Sequence, residues 1–162
     1  MMTHYMELLS SNQPWNLLLF MAIPVIMAEY IAVSELYILF TRKTDGLIRV
    51  LNKYVGIILG FYFLGVFIYL FNTAVIPLTT SKAWRGIADI IAVGFYLSGV
   101  IPLFAISLLE IGFIMKGKTE VEKLKLHAML VGIFLIVAHI AMIFGMLDPQ
   151  VLGWMGSGKG GM

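Results

Sequence analysis

Four long apolar segments constrain this chain more than any other feature of its sequence. We predict transmembrane helices near Trp15–Phe40, Tyr54–Leu78, Ile87–Met115 and Leu126–Leu147. Each has at least the roughly 20 residues that a helix needs to cross about 30 Å of hydrocarbon. The segments between them are short, so neighbouring helices should run antiparallel. The sequence therefore predicts an all-α membrane protein, a single transmembrane domain over residues 1–162 that folds as a four-helix up-down bundle.

The composition fits a chain that lies mostly in lipid. Of the 162 residues, 60% are hydrophobic and 12% are charged, whereas soluble domains are about 45–50% apolar and about 25% charged. A soluble particle of this size could not bury so much apolar surface. We therefore exclude a water-soluble enzyme and a nucleic-acid-binding module. The chain has no cysteine, which also excludes disulfides, thiolate metal sites and cysteine nucleophiles.

The basic residues predict an orientation in the membrane. Eight follow the first or third segment: Arg42, Lys43, Arg49, Lys53, Lys116, Lys118, Lys123 and Lys125. The opposite side carries three, Lys82, Arg85 and Lys159. Because cytoplasmic loops carry the excess of Lys and Arg, we predict that the loops after the first and third segments are cytoplasmic. Both termini would then lie on the periplasmic side.

Glu29 is the acidic residue that lies deepest in a predicted span. At about 1.5 Å per residue it is about 21 Å below Trp15, past the bilayer midplane. A carboxyl at that depth is costly and normally faces the bundle interior. We predict that Glu29 does so and accepts a hydrogen bond from the hydroxyl of Tyr62, Tyr69 or Tyr96. Such a site could hold a proton or a cation, and the alternative is a neutral carboxyl with a structural role.

The other acidic residues in the spans lie closer to the membrane surfaces. Glu35 and Glu110 are near the predicted cytoplasmic ends of their helices. We expect them to reach water or to pair with the basic loop residues. Asp89 follows Arg85 by one helical turn, a spacing that favours an ion pair between them.

A group of His and Met residues predicts a pocket in the periplasmic half. Its members are His139, Met142, Met146, Met21 and His4. The first three share one helix face, because they are offset by three and seven residues. Imidazole and thioether ligands suit Cu(I) and can also bind haem iron. The alternative is that the Met residues are apolar filler and that His139 hydrogen-bonds across helices.

A site for two stacked haems does not fit the sequence. Each haem would need a pair of histidines on facing helices, but the spans contain only His139 and, near the cytoplasmic end of the same helix, His127. These two are about 120° apart around the helix axis. If a cofactor is present, we therefore expect copper or a single haem b.

Proline and glycine residues in the spans predict local departures from straight helices. Pro24, Pro77 and Pro102 should kink or end helices and free backbone carbonyls. Small residues in the second and third spans allow close helix approach: Gly56, Gly60, Gly65, Gly94 and Gly99.

Several stretches of this sequence resemble one known family. They are Thr3-His-Tyr-Met-Glu-Leu-Leu, Asn12-Gln-Pro-Trp-Asn16, Ala28-Glu-Tyr with Ser34-Glu-Leu-Tyr37, and Ala138-His-Ile-Ala-Met-Ile-Phe-Gly-Met-Leu-Asp-Pro149. Together they resemble an uncharacterised family of small bacterial four-helix inner-membrane proteins, often labelled permeases. The resemblance implies a multi-pass protein of the bacterial inner membrane and assigns no chemistry.

The sequence contains no catalytic motif such as a phosphate loop, a Ser-His-Asp set or HExxH. Three functions remain as hypotheses. The first is a non-catalytic accessory subunit, or a small metal- or proton-handling component, of a larger membrane assembly. The second is a single-haem b or quinone-linked redox protein that uses His139 and Glu29. The third is a small cation or solute permease that acts as an oligomer around Glu29. The expected partners are lipid together with other membrane subunits or further copies of the chain.

Overall fold

The computed structural model of this protein describes residues 1–156, so the glycine-rich end with Lys159 lies outside the described residues. The helices are α1 (His4–Ser10), α2 (Trp15–Thr41), α3 (Leu47–Thr80), α4 (Gly86–Ile111) and α5 (Glu120–Met146), followed by a 3₁₀ turn at Pro149–Leu152. Within this part of the chain there are no strands. Four of the helices, α2 to α5, are long and apolar enough to span a membrane.

Helices α2 to α5 pack as a closed bundle. Each contacts the next along the chain, and α2 also contacts α5. Their connections are short, so neighbours run antiparallel. The bundle therefore has two ends. We call the end with loops 42–46 and 112–119 the basic end, and the end with α1, residues 81–85 and the 3₁₀ turn the terminal end.

Helices α3 and α5 begin earlier than the apolar segments predict. Helix α3 starts at Leu47 rather than Tyr54, and α5 starts at Glu120 rather than Leu126. The added turns carry charged side chains, which hydropathy counts against a membrane helix. Hydropathy therefore finds the apolar part of each helix and leaves out the charged turns at the basic end.

Local backbone chemistry sets two helix ends at the basic end. At the start of α5, the Thr119 hydroxyl accepts from the Glu122 N–H, and the Glu122 carboxylate accepts from the Thr119 N–H. This reciprocal cap satisfies two backbone N–H groups that would otherwise lack partners. Helix α4 ends at Ile111 because Gly112 has φ of 87°, a left-handed conformation that glycine adopts without strain. The predicted extension to Met115 is therefore wrong.

Pro24 shapes α2 as the sequence predicts. Proline has no N–H, and the helix before it changes to i→i−5 bonding, so the carbonyls of Leu19 and Phe20 both lack a helical donor. The backbone before Pro24 widens into one π-helical turn. The Tyr62 hydroxyl donates to the Leu19 carbonyl at 2.6 Å, and the Tyr96 hydroxyl donates to the Phe20 carbonyl. Side chains of α3 and α4 thus satisfy the carbonyls that the proline frees.

An aromatic layer crosses the middle of the bundle. It consists of Tyr5, Phe63, Tyr96 and Phe134, all of them buried. The ring of Phe63 lies 5.3 Å from that of Tyr96 and 5.6 Å from that of Phe134, measured between centroids. Tyr5 packs on Tyr96 at 5.2 Å. This layer separates the polar groups of the basic end from those of the terminal end.

Some of the glycines do mediate close helix contacts. A Cβ atom at Gly60 would collide with the Ser107 hydroxyl and the Leu103 carbonyl of α4. Gly56 and Gly99 likewise face side chains of α5. Among residues 1–156, a Cβ atom added at Gly65 or Gly94 would meet no other group within 4 Å. The expectation of close approach therefore holds for three of the five glycines, those whose helix face is turned inward.

Candidate functional site

Polar side chains from all four long helices meet inside the basic end. We call this group the basic-end network, and its members are Ser34, Glu35, Arg49, Asn52, Glu110, Glu120 and His127. All of them except Glu120 are buried, and Asn52 and His127 have no exposed surface. Buried ionisable groups in a membrane bundle are rare and normally paired. The network is therefore the strongest candidate for a functional site.

Arg49 joins the network to the surface. Its guanidinium donates to both carboxylate oxygens of Glu110, at 2.9 and 3.1 Å. It also donates to Glu120 at 3.1 Å, and the Glu120 side chain is half exposed. Paired N–H donors that match both oxygens of one carboxylate make a strong and directional contact. Arg49 thereby holds α3, α4 and α5 together where the network meets water.

His127 lies between two carboxyl groups. Its Nε2 atom is 3.3 Å from Oε1 of Glu110, and its Nδ1 atom contacts Oε1 of Glu35. The Glu35 side chain is 1% exposed, and within residues 1–156 neither its two oxygens nor the two ring nitrogens of His127 form a hydrogen bond. The absence of a side chain at Gly56 makes room for the imidazole, since a Cβ there would lie 3.0 Å from Nε2.

Amide and hydroxyl groups fix the α2 side of the network. The Asn52 side-chain N–H₂ group donates to the Ser34 hydroxyl at 2.8 Å and to the Ile31 carbonyl at 3.3 Å. Its side-chain oxygen accepts from Arg49 at 3.4 Å. Asn52 therefore connects the backbone of α2 with the guanidinium of Arg49.

A small cavity opens the network toward the basic end. It has a volume of about 170 Å³, and its polar lining consists of Arg49, Lys53, Glu110, Glu120 and Lys123. A cavity with several polar groups is suited to water. On the opposite side of His127 the aromatic layer and its apolar neighbours fill the bundle. The network is therefore accessible from one end.

A second polar cluster fastens α1 across the terminal end. Asp89 has no exposed surface and accepts from the His4 backbone N–H at 2.7 Å. Its carboxylate also lies 2.5 Å from Nδ1 of His4 and accepts from the Arg85 backbone N–H. The Arg85 guanidinium pairs with Glu7 at 2.7 Å rather than with Asp89. The predicted Arg85–Asp89 ion pair is thus replaced by contacts with α1.

The predicted position of Glu29 inside the bundle is wrong. Glu29 is exposed on the outer face of α2. Of its three candidate partners, Tyr62 and Tyr96 donate to backbone carbonyls near Pro24, and Tyr69 is 55% exposed and stacks on Phe20.

Glu29 lies on the outer face because of its angular position around the axis of α2. The buried face of α2 runs through Ala28, Ile31 and Glu35, at offsets of three and seven residues. Glu29 follows Ala28 by one residue, about 100° around the helix, so it points outward. The acidic residue that does enter the bundle on this helix is Glu35.

The predicted His–Met pocket is also wrong. His139 is exposed, and its Nδ1 atom lies 2.6 Å from the Leu135 carbonyl of its own helix. Met146 is 68% exposed and Met142 is half-buried. On α5 the inward stripe runs through Phe134, Ala138, Ala141 and Gly145, and His139 lies beside it.

The remaining candidate ligands lie elsewhere. Met21 packs against the apolar core, and His4 is engaged by Asp89. Within residues 1–156 no three His, Asp or Glu side chains are grouped so that they could hold a metal ion. The geometry that motivated copper or a single haem b at His139 is therefore not present in this part of the chain.

The sequence does contain a pattern that indicates the network, although the depth of each residue taken singly does not reveal it. Each long helix carries an ionisable residue within about two turns of the basic end: Glu35, Arg49, Glu110 and His127. Four such residues at a similar depth indicate a shared polar layer. The expectation that Glu110 pairs with a basic residue is confirmed by its contact with Arg49. Glu35 instead contacts His127 in the interior.

Comparison with known proteins places the chain in a family without an assigned role. No curated protein and no solved structure matches it significantly. The sequence model of one family of unknown function, DUF6803, matches residues 1–160. That match spans the four long helices and both polar clusters, and it agrees with the resemblance to an uncharacterised family. The chain therefore belongs to DUF6803, a family of unknown function.

Proposed function

We propose that this protein takes up a proton from the basic end and holds it at Glu35 and His127, as a small non-catalytic component of a larger membrane assembly. The observation that carries the proposal is the contact between these two fully buried groups, with Oε2 of Glu35 lacking a partner in residues 1–156. Ionisable residues inside membrane bundles commonly serve as proton relays.

The geometry supports a short path for the proton. Water in the cavity beside Arg49 would reach the Glu110 carboxylate. Oε1 of Glu110 lies 3.3 Å from Nε2 of His127, so a small shift of the imidazole lets it take a proton from Glu110, and the imidazole can then release the proton on Nδ1 toward Glu35. One proton enters and one moves on at each step, so no other reactant is needed. Arg49 does not carry the proton, since a guanidinium stays protonated in proteins.

The same geometry favours holding a proton over moving it across the membrane. Beyond His127 the path meets the aromatic layer, where the Phe63 and Phe134 rings pack edge to face. A permease would need to expose its site alternately to both ends of the bundle. The bias of basic residues favours a cytoplasmic position for the open end, so we infer that the proton comes from that side.

A second observation supports a partner in the membrane. Glu29 lies near the middle of α2 on its exposed face, beside exposed apolar residues such as Ile26 and Val33. In lipid a carboxyl at that depth costs about 2.5–3.5 kcal/mol. A neighbouring subunit or a second copy of the chain that offers a polar group would remove that cost. We therefore infer that the outer face of α2 lies against another membrane helix.

The proton site can be tested by infrared titration of the full chain in lipid nanodiscs. We expect a carboxyl C=O stretching band that appears on acidification and is lost in Glu35→Gln. In His127→Gln the pH midpoint of that band should move, because the neighbouring imidazole is gone. The matched variant is Glu29→Gln, which changes an acid on the outer face of the same helix and should leave the midpoint unchanged.

Two results would overturn the proposal. One is a band that survives in Glu35→Gln with the wild-type midpoint. The other is a band that is lost in Glu29→Gln instead. The melting temperature of each variant shows whether the bundle is intact, so that a lost band is assigned to the missing carboxyl and not to unfolding.

A further inference from the structure

A separate cavity lies at the basic end between α2 and α5. It has a volume of about 440 Å³ and sits beside the last turn of α2 and the first turns of α5. Its floor is apolar and contains the buried side chains of Ile38 and Leu124, and Leu39 and Val121 extend it along the helices. Its rim carries Arg42, Thr44 and Lys125. The cavity thus combines an apolar slot with a cationic entrance.

The two cations at the rim are available for a ligand. Arg42 and Lys125 are both exposed, and neither forms an ion pair within 4 Å in residues 1–156. Arg42 ends α2 in a left-handed conformation with φ of 54°, which turns the chain away from the helix at the rim. The two groups come from different helices and face one cavity, so together they form a positive site above an apolar wall.

The acidic groups at the start of α5 are already engaged. Glu120 pairs with Arg49 and Lys123. Glu122 accepts from the Thr119 N–H in the helix cap. The acidic residues of α5 therefore do not neutralise the positive charge of Arg42 and Lys125 at the rim.

We propose that this cavity binds an anionic glycerophospholipid from the leaflet at the basic end. The headgroup phosphate lies between Arg42 and Lys125, with the Thr44 hydroxyl as a further donor. One acyl chain follows the apolar wall formed by Leu39 and Val121. Basic pockets between membrane helices at this level are suited to anionic headgroups. The proposal is independent of the proton site, because the two sites share no residue.

Lipid titration followed by native mass spectrometry of the detergent-purified full chain tests this proposal. The probe is phosphatidylglycerol, compared with phosphatidylcholine. Removal of one cation near an anionic group weakens binding about fivefold, so Arg42→Gln/Lys125→Gln should bind phosphatidylglycerol about 25-fold more weakly than wild type. Lys125→Gln alone should show about a fivefold loss. The charge-matched control is Lys116→Gln/Lys118→Gln, which alters the same end outside the cavity and should stay within about twofold.

Three further comparisons distinguish a lipid site from a soluble-anion site and from diffuse charge attraction. Inorganic phosphate at tenfold excess should not displace phosphatidylglycerol, because it cannot use the apolar wall. Displacement by phosphate would overturn the proposal in favour of a soluble anion. Equal losses in the two double variants would overturn it in favour of diffuse attraction to the basic end. Equal affinity of wild type for the two lipids would show that the headgroup charge is not recognised and would also overturn it.

Discussion

Arg49 shows how a single residue connects the interior of the bundle with its surface. It contacts a buried carboxylate on one side and a half-exposed carboxylate on the other. We predict that Arg49→Met lowers the free energy of unfolding in detergent micelles by about 3–5 kcal/mol, because Glu110 is left buried without its cation. Arg49→Met/Glu110→Met should recover much of that loss, since both charges are then removed.

The control for this prediction is Lys53→Met. Lys53 lies one turn further along α3, is exposed and has no ion pair in residues 1–156. Exposed positions of this kind change stability by about 0.5 kcal/mol or less. If Arg49→Met is no more destabilising than Lys53→Met, the buried Arg49–Glu110 ion pair does not stabilise the bundle.

At the scale of helices, the bundle is organised by backbone contacts that need particular residues. Pro24 and the π-helical turn before it leave two carbonyls of α2 without helical donors, and tyrosines from α3 and α4 supply the missing hydrogen bonds. Gly60 lets α3 approach α4 so closely that the Ser107 hydroxyl reaches the carbonyl of Ile57 at 2.9 Å. Such contacts stabilise helix pairs in lipid, where apolar burial contributes little between helices.

The glycines of α3 provide an internal comparison for this packing. Gly60→Ala should cost about 1–3 kcal/mol in unfolding experiments, because the added methyl group forces α3 and α4 apart. Gly65→Ala should be neutral or stabilising by up to about 1 kcal/mol, because its face is open and alanine is the better helix former. Equal effects of the two substitutions would contradict the close contact at Gly60.

At the scale of the whole molecule, two polar ends are separated by an aromatic middle. The basic end holds the proposed proton site and the lipid cavity, and the terminal end is closed by α1 through His4 and Asp89. The two ends of the bundle therefore differ in their polar groups and in the roles proposed for them. The orientation of the bundle in the membrane therefore determines to which compartment the proposed proton site opens.

Cysteine labelling in intact cells checks that orientation directly. The chain contains no cysteine, so an introduced one is its single reactive thiol. By the positive-inside rule we expect Lys82→Cys to react with a membrane-impermeant maleimide from outside. Lys118→Cys, in the loop between α4 and α5, should react after the membrane is permeabilised. The reverse pattern would place the proton site on the opposite side from the one proposed.

The sequence by itself determined the features that depend on local chemistry. Four apolar segments of sufficient length predict the four long helices, Pro24 predicts the freed carbonyls, and Lys and Arg counts distinguish the two ends. Each of these follows from residues close together in the chain. Helix length, the missing proline N–H and loop charge need no knowledge of the neighbouring helices.

Only the tertiary structure decided which polar residues face inward. Glu29 and Glu35 lie six residues apart on one helix, yet Glu29 is on the outer face and Glu35 contacts His127. A helix in lipid is apolar on all sides, so its sequence carries little information about rotation around its axis. That rotation is set by contacts between helices, such as those of Arg49 with Glu110 and of Gly60 with α4. The depth of a residue can be read from the chain, but its direction depends on the partners that the other helices provide.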